Sequence, residues 1–349
     1  MIVASFFLHP ISHVCAGLIP VFLLLFGLVF LDTYKLIPLR SILLNIFLGC
    51  AAATLCALIN SVVMSVTNVS FEQYARYGGP LVEEFFKAGY LAYLIRSKRI
   101  GFMVDGAIAG FAVGAGFAFV ENLYYLYILT DANLLVWIIR GFGTAIMHGA
   151  ATSIFAVVSK QLFDGSAFGR VSAFLPGLLT AIAIHSLFNH FFFSPVVSAL
   201  LVLTLFPAVT VIVFQQGEKA TREWLGVGFD ADVDMLNMII SGDLAETKVG
   251  KYLRQMKEKF PGEIVADMLC LLRLHLELSV QAKGVLLMRE AGFRPVVGPE
   301  IQEKFSELKY LEKSIGSTGR LAVAPILRQT SRDLWELYML NNEVQRSSV

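Results

Sequence analysis

The sequence predicts an all-α protein: a polytopic transmembrane helix bundle of about seven spans, followed by a C-terminal soluble helical domain. Three observations carry this. Hydrophobic residues make up 56% of the 349 and charged residues only 16%, and the mean hydropathy is +0.68, outside the usual range of soluble globular domains. Seven apolar runs approach the roughly 20 residues that a helix needs to cross a bilayer core about 30 Å thick. Charge is divided unevenly, since residues 1–214 hold 18 of the 55 Asp, Glu, Lys and Arg, and residues 215–349 hold the other 37. The expected domains are therefore 1–214 in the membrane and 215–349 in the cytosol.

In chain order the predicted spans cover residues 11–31, 41–66, 78–95, 103–129, 135–160, 173–192 and 195–214. The short gap between the last two allows a hairpin or a re-entrant piece. Seven spans put the termini on opposite sides, and the loops decide which. Those after spans one, three, five and seven carry Lys35 and Arg40, then Arg96, Lys98 and Arg99, then Lys160 and Arg170, then Lys219 and Arg222; the alternate loops carry essentially only Arg76. The positive-inside rule leaves the N-terminus outside and the C-terminal domain cytoplasmic. Residues 1–10 contain no Lys or Arg and so lack the basic region of a cleavable secretory signal; the first span is expected to stay. Cys15, Cys50, Cys56 and Cys270 show no metal-type or paired spacing, which argues against redox chemistry and a cysteine nucleophile.

The third span contains Glu83, Glu84 and Lys87. An ionisable side chain in lipid costs at least about 3 kcal/mol on insertion scales, so such groups face a bundle interior or a wet cavity and mark function. In span four, Gly106, Gly110 and Gly114 form a small-residue face that lets a neighbouring helix approach, and Glu121 lies nearly on that face, pointing inward. Span five aligns Gly141, Ala145, His148 and Thr152; span six aligns Ala181, His185 and Asn189, with His190 adjacent. Each has an ordinary reading as packing or interhelical glue, and a Glu–Lys pair can neutralise itself. But one lysine cannot neutralise two glutamates, and Glu121 adds a third carboxyl with no intramembrane cation of its own.

A carboxyl held between apolar surroundings and a lysine is suited to act as a general base, and Glu83 is the candidate. Around the helix Lys87 lies about 40° from Glu83 and about 60° from Glu84, so it can bridge both and leave Glu84 as a structural or proton-sharing partner. His148 and His185 would donate to a developing oxyanion, with Asn189 as partner, or would ligate zinc. His185 is followed at i+4 by Asn189 rather than by a second histidine, so a metal would need ligands from different helices. Counted at 1.5 Å per residue, Glu83 lies about 18 Å and Glu121 about 27 Å from the cytoplasmic ends of their spans, and His148 about 12 Å below Arg140. The cavity is thus expected to open toward the extracytoplasmic face.

These residues resemble the motifs of the PrsW-type intramembrane proteases, which are related to CAAX-processing and bacteriocin-processing membrane proteases. The matching pieces are Glu83-Glu84-Phe85-Phe86-Lys87, Phe117-Ala118-Phe119-Val120-Glu121-Asn122, His148-Gly149-Ala150-Ala151-Thr152 and His185-Ser186-Leu187-Phe188-Asn189, within about residues 75–192. The resemblance implies a membrane-embedded endopeptidase, glutamate-dependent or metal-dependent, that makes the first cut in a membrane-anchored regulator such as an anti-sigma factor. The chain departs from the CAAX branch at Lys87, where that branch has a more distant Arg, and at Glu121, where it has a histidine. The role of that histidine passes to His148, to His185 or to a metal. The expected catalytic set is Glu83, Glu84, Lys87, Glu121, His148, His185 and Asn189, with glutamate chemistry favoured. No cofactor is assigned from the sequence, and zinc, if used, is expected on His148, His185 and Glu121. The expected partners are a membrane-anchored protein substrate and the lipid bilayer, not nucleic acid. The alternative is a proton-coupled transporter or sensor, whose usual inverted repeat is not visible here.

From residue 215 onward the chain is polar and reads as helices over 230–241, 245–260, 263–290, 299–314 and 322–341. The third, with Ile264, Met268, Leu271, Leu272, Leu278 and Leu286, is the expected buried centre. Asp230, Asp232 and Asp234 open like a calcium loop, but Met235 and Ser241 at its positions six and twelve rule that out. Lys248, Lys251, Arg254, Lys257 and Lys259 form a basic side that reads first as a solvated face and second as a contact for anionic lipid. The region 215–349 is expected to be a regulatory or cytosolic partner-binding module.

Overall fold

The computed structural model describes residues 10–67, 69–165, 171–293, 295, 297–327 and 330–347. Among these all regular structure is helical, and the chain divides into two compact units, Met1–Glu218 and Lys219–Val349. The first unit holds α1 (Ile11–Leu31), α2 (Leu39–Val66), α3 (Gly79–Arg96), α4 (Met103–Ile128), α5 (Leu134–Gly165) and α6 (Phe174–His190). A further helix, α7 (Pro195–Ser241), contains the boundary between the units.

Six of the seven expected spans are helices long and apolar enough to cross a membrane. The exception is α3, an 18-residue helix that carries Glu83, Glu84, Lys87 and Arg96. Its charge, the property that marks it as a site, is what removes it from the apolar set. Two of the residues used to orient the chain change standing. Arg170 lies outside the described residues, and Lys160 is not in a loop: it is buried within α5 with its ammonium 2.9 Å from Asp164.

Local chemistry sets the helix ends. Pro38 precedes α2, and Pro80 sits in the first turn of α3, where its fixed φ suits a helix and its missing N–H leaves a carbonyl of the preceding turn without a helical partner. At the start of α4 the Asp105 carboxylate accepts the backbone N–H groups of Gly101 (2.9 Å) and Phe102 (3.3 Å), satisfying donors that the first turn leaves open. Phe191, at φ 48°, ends α6 in the left-handed region. The expected span 195–214 and helix 230–241 belong to the single element α7; the glycines between them weaken a helix without stopping one. It ends where expected, at Gly242, with φ 84°.

α4 is the axis of the first unit, with every residue from Val104 to Ala118 buried. Its glycine face meets α5 backbone to backbone. A Cβ built on Gly110 would fall 2.6 Å from the Thr152 carbonyl oxygen, and one on Gly114 would overlap the carbonyl of His148. The Ser153 hydroxyl donates to the Ala107 carbonyl across the same seam at 3.0 Å. This contact fixes the height at which α5 presents His148.

The second unit is built around α9 (Gly262–Glu290), whose Met268, Leu271, Leu272, Leu278 and Leu286 are buried as expected. Around it lie α8 (Lys248–Met256), α10 (Glu300–Ser314), α11 (Gly316–Leu327) and α12 (Ser331–Ser347). The expected helix 322–341 is thus two helices. Gly316 (φ 67°) starts the first one early, and Thr330, bonded through its N–H and hydroxyl to Asp333, opens the second. The five basic residues 248–259 are exposed. Asp232 has a defined partner: its carboxylate accepts from Lys283 Nζ at 2.6 Å and from the Ser279 hydroxyl at 2.5 Å. Lys283 also lies 3.0 Å from Glu336, whose other carboxyl oxygen is 2.5 Å from the same Ser279 hydroxyl. Burial pushes the Glu336 carboxyl up to about 7, against the pull of Lys283.

Candidate active site

Two wide, π-type turns flank the polar cluster of the first unit: Tyr74–Gly78, leading into α3, and Arg140–Ala145, inside α5. Such turns insert an extra residue and rephase the side chains that follow. Of the expected stripe of Gly141, Ala145, His148 and Thr152, the wide turn takes in Gly141 and Ala145 and rephases them relative to His148. Gly141 abuts the backbone of Ala16 on α1, and the Thr152 hydroxyl donates to the His148 carbonyl of its own helix at 2.8 Å. His148 alone of the four reaches the cluster.

The cluster is a chain of polar contacts across four helices. Lys87, buried on α3, donates to Glu84 Oε1 at 2.5 Å and to His148 Nδ1 at 3.2 Å. The same Glu84 oxygen accepts from His185 Nδ1 on α6 at 2.8 Å. His148 Nε2 donates to Glu121 Oε2 on α4 at 2.7 Å, and Arg140 donates to Glu121 Oε1 at 3.0 Å. These partners assign the tautomers. With an ammonium on Nδ1, His148 carries its proton on Nε2; with a carboxylate on Nδ1, His185 carries its proton there and keeps a lone pair on Nε2.

Glu83 stands apart from this chain. Among the described residues its ion-pair contact is a long one, 3.9 Å from Oε2 to His185 Nε2. Lys87 therefore serves Glu84 and His148 rather than bridging both glutamates, because it lies one helical turn above Glu84 on the buried face. The Glu83 and Glu121 side chains are 17% and 25% exposed, whereas Glu84, Lys87, His148 and His185 are sealed within the unit.

Glu83, His148 and His185 each offer a donor atom, and these atoms lie within 4.8 Å of one another. Two imidazoles and a carboxylate are a zinc-type donor set, and Glu84 behind His185 Nδ1 matches the way a carboxylate orients a ligating imidazole. The residues thus fit a metal by type, with Glu83 where Glu121 was expected. Glu121 instead sits behind His148.

The remaining expected residue, Asn189, is turned elsewhere: its amide donates to the Ala75 carbonyl in the first wide turn at 2.8 Å. Ser186 donates to the next carbonyl, that of Arg76, at 2.7 Å. His190 lies between the Ser186 carbonyl and the Tyr77 hydroxyl. Arg140 was missed, and it corrects the expectation that Glu121 has no intramembrane cation. The visible signal was an arginine beside Gly141-Phe142-Gly143 in an otherwise apolar run. Its Nε donates to Asn122 at 2.9 Å, whose amide donates in turn to the Gly17 carbonyl of α1 at 2.7 Å.

The family model described as PrsW family intramembrane metalloprotease matches residues 37–214, just over half of the chain and all of the cluster. No curated protein and no solved structure matches.

Proposed function

The chain belongs to the PrsW family of intramembrane proteases, and from that premise we propose that it hydrolyses peptide bonds of membrane-anchored proteins with Glu83 as the general base. The observation that supports this reading is the contrast within the cluster: Glu84 and Glu121 are committed to Lys87, His185, His148 and Arg140, while Glu83 is half-buried and, among the described residues, has the long 3.9 Å approach to His185 as its ion-pair contact.

In this reading Glu83 takes a proton from water as the water oxygen attacks the peptide carbonyl carbon. The proton then passes to the amide nitrogen as the C–N bond breaks, giving a carboxylate and an amine. His185 faces the same space, its ring fixed by Glu84 in the manner of an oriented catalytic imidazole. His148, both of whose nitrogens are engaged by Lys87 and Glu121, would donate to the charge developing on the carbonyl oxygen only on releasing Glu121. Asn189, spent on Ala75, holds the wide turn rather than the oxyanion. If a metal is bound, Glu83, His148 and His185 would hold it, and it would supply Lewis-acid polarisation and a more acidic water. His148 would then have to release Lys87 or Glu121, since both of its nitrogens are engaged.

By loop charge we assign the pocket to the extracytoplasmic half of the bilayer and residues 215–349 to a cytosolic regulatory role. The natural substrate class is a single-span regulator cut on the outer side, such as an anti-sigma factor. The test is cleavage of a single-span reporter by the purified full chain and by Glu83→Gln, each with and without chelator. Loss in the variant with survival in chelator supports the base reading. Loss on chelation moves the three donors to a metal. Product termini on the cytoplasmic side of the reporter would overturn the orientation.

A further inference from the structure

Arg140 and His148 belong to one helix, α5, and both reach the same carboxylate, Glu121 on α4. Their spacing along a regular helix would set the two side chains about 80° apart; one extra residue in the wide turn Arg140–Ala145 reduces that to about 20°. The wide turn thus puts a guanidinium on one oxygen of Glu121 and an imidazole on the other. Arg140 is held on three sides. Its Nη2 donates to Glu121 Oε1 at 3.0 Å, its Nε donates to Asn122 Oδ1 at 2.9 Å, and its Cζ lies 3.6 Å from the centre of the Tyr125 ring. Asn122, buried, is fixed in turn by α1, where the Gly17 carbonyl accepts its amide at 2.7 Å. A rigid planar fork bonded along its edge and covered on one face has a single orientation. Glu121 Oε1 is therefore anchored, and Oε2 is left aimed at His148 Nε2, 2.7 Å away.

We infer that Arg140 is a positioning residue for His148, acting through Glu121, with Asn122 and the backbone of α1 behind it. The inference rests on His148 serving the cleavage reaction proposed above. It accounts for the extra residue in α5, which brings Arg140 and His148 to one face. It also gives Glu121 a cation that stays in place when His148 turns its Nε2–H to the carbonyl oxygen, so the carboxylate is never left uncompensated inside the bundle.

The experiment is steady-state cleavage of the single-span reporter by the full chain bearing Arg140→Gln, Arg140→Lys, Glu121→Gln, Arg140→Gln with Glu121→Gln, or His148→Ala. Thermal midpoints serve as folding controls, and rates are taken per folded molecule. Arg140→Gln is expected to lower kcat about tenfold with KM within about twofold. Arg140→Lys, which keeps the charge but not the fork, should fall between it and the wild type. The double variant should equal Glu121→Gln alone, because Arg140 has nothing left to act through. Arg140 effects that multiply with those of Glu121→Gln, that fall on KM alone, or that vanish beside an inactive His148→Ala would overturn the positioning role while leaving the proposed reaction in place. A fully active His148→Ala would overturn the role of His148 and the positioning role together. Arg140→Lys carries the kcat-against-KM test should Arg140→Gln fold poorly.

Discussion

Lys87 in the first unit and Lys283 in the second are both buried, both lie over an aromatic ring (Phe117 at 4.6 Å, Trp224 at 4.9 Å) and both sit beside carboxylates. Around Lys283 the cluster closes on itself: the ammonium lies against Asp232, Ser279 and Glu336, and the Ser279 hydroxyl sits between the two carboxyl groups. Around Lys87 it stays open. The ammonium is spent on Glu84 and His148, and beyond them Glu83 and the second nitrogen of His185 retain the capacity to bind something else. Burial and charge are common to both, so neither distinguishes a site from a structural network. Leftover bonding capacity facing a half-open space does.

The largest effect expected from this contrast is in catalysis. Glu83→Gln should lower reporter cleavage about 10³-fold, the usual scale for a lost general base, while Glu336→Gln should leave it within about twofold; equal losses would erase the distinction. Next come the lysines. Removing either leaves buried carboxylates uncompensated, at a cost of about 3–5 kcal/mol, so Lys87→Met and Lys283→Met should both lower the thermal midpoint. Only the former should reduce turnover per folded molecule, measured by active-site titration of the surviving fraction.

A pH profile sharpens the second cluster. The Glu336 carboxyl is pushed up to about 7 by burial, so it holds its proton more tightly in the folded state than in the unfolded one. Its contribution to stability is full below about 4.5, the ordinary carboxyl range, and is lost as pH rises through about 7. His275, pushed down to about 4 by burial, acts with the opposite sign, so the comparison is made against Glu336→Gln at each pH. Hydrogen exchange of α9 should show a decline in protection toward alkaline pH that the variant lacks. The smallest effects are steric. Gly110→Val should cost about 2 kcal/mol by overpacking, whereas Gly284→Ala, in open space on α9, should gain about 0.5–1 kcal/mol.

The helices were legible because twenty-residue apolar runs leave few alternatives, and the inward direction of Glu121 followed from helical spacing to the glycine face. The site was legible as residue types on successive helices. Its wiring was not. Spacing arguments assume 3.6 residues per turn, and the two wide turns violate that assumption beside Tyr74 and Arg140. Asn189 was read onto the face of His185 for the same reason that it could be drawn away: a four-residue offset fixes a direction, not which acceptor waits there. Arg140 finds its partner Glu121 19 positions away along the chain and Asn189 its acceptor Ala75 114 positions away, across packing that no local pattern encodes.

The glycine face of α4 has a further consequence. Because the carbonyls of α5 occupy the room where side chains would stand on Gly110 and Gly114, these two helices share a weld rather than an interface, and prising them apart would leave a gap that no side chain on that face can fill. A polypeptide sliding sideways toward Glu83 must therefore part some other pair of neighbours, and crosslinks engineered along this seam should leave its passage unhindered.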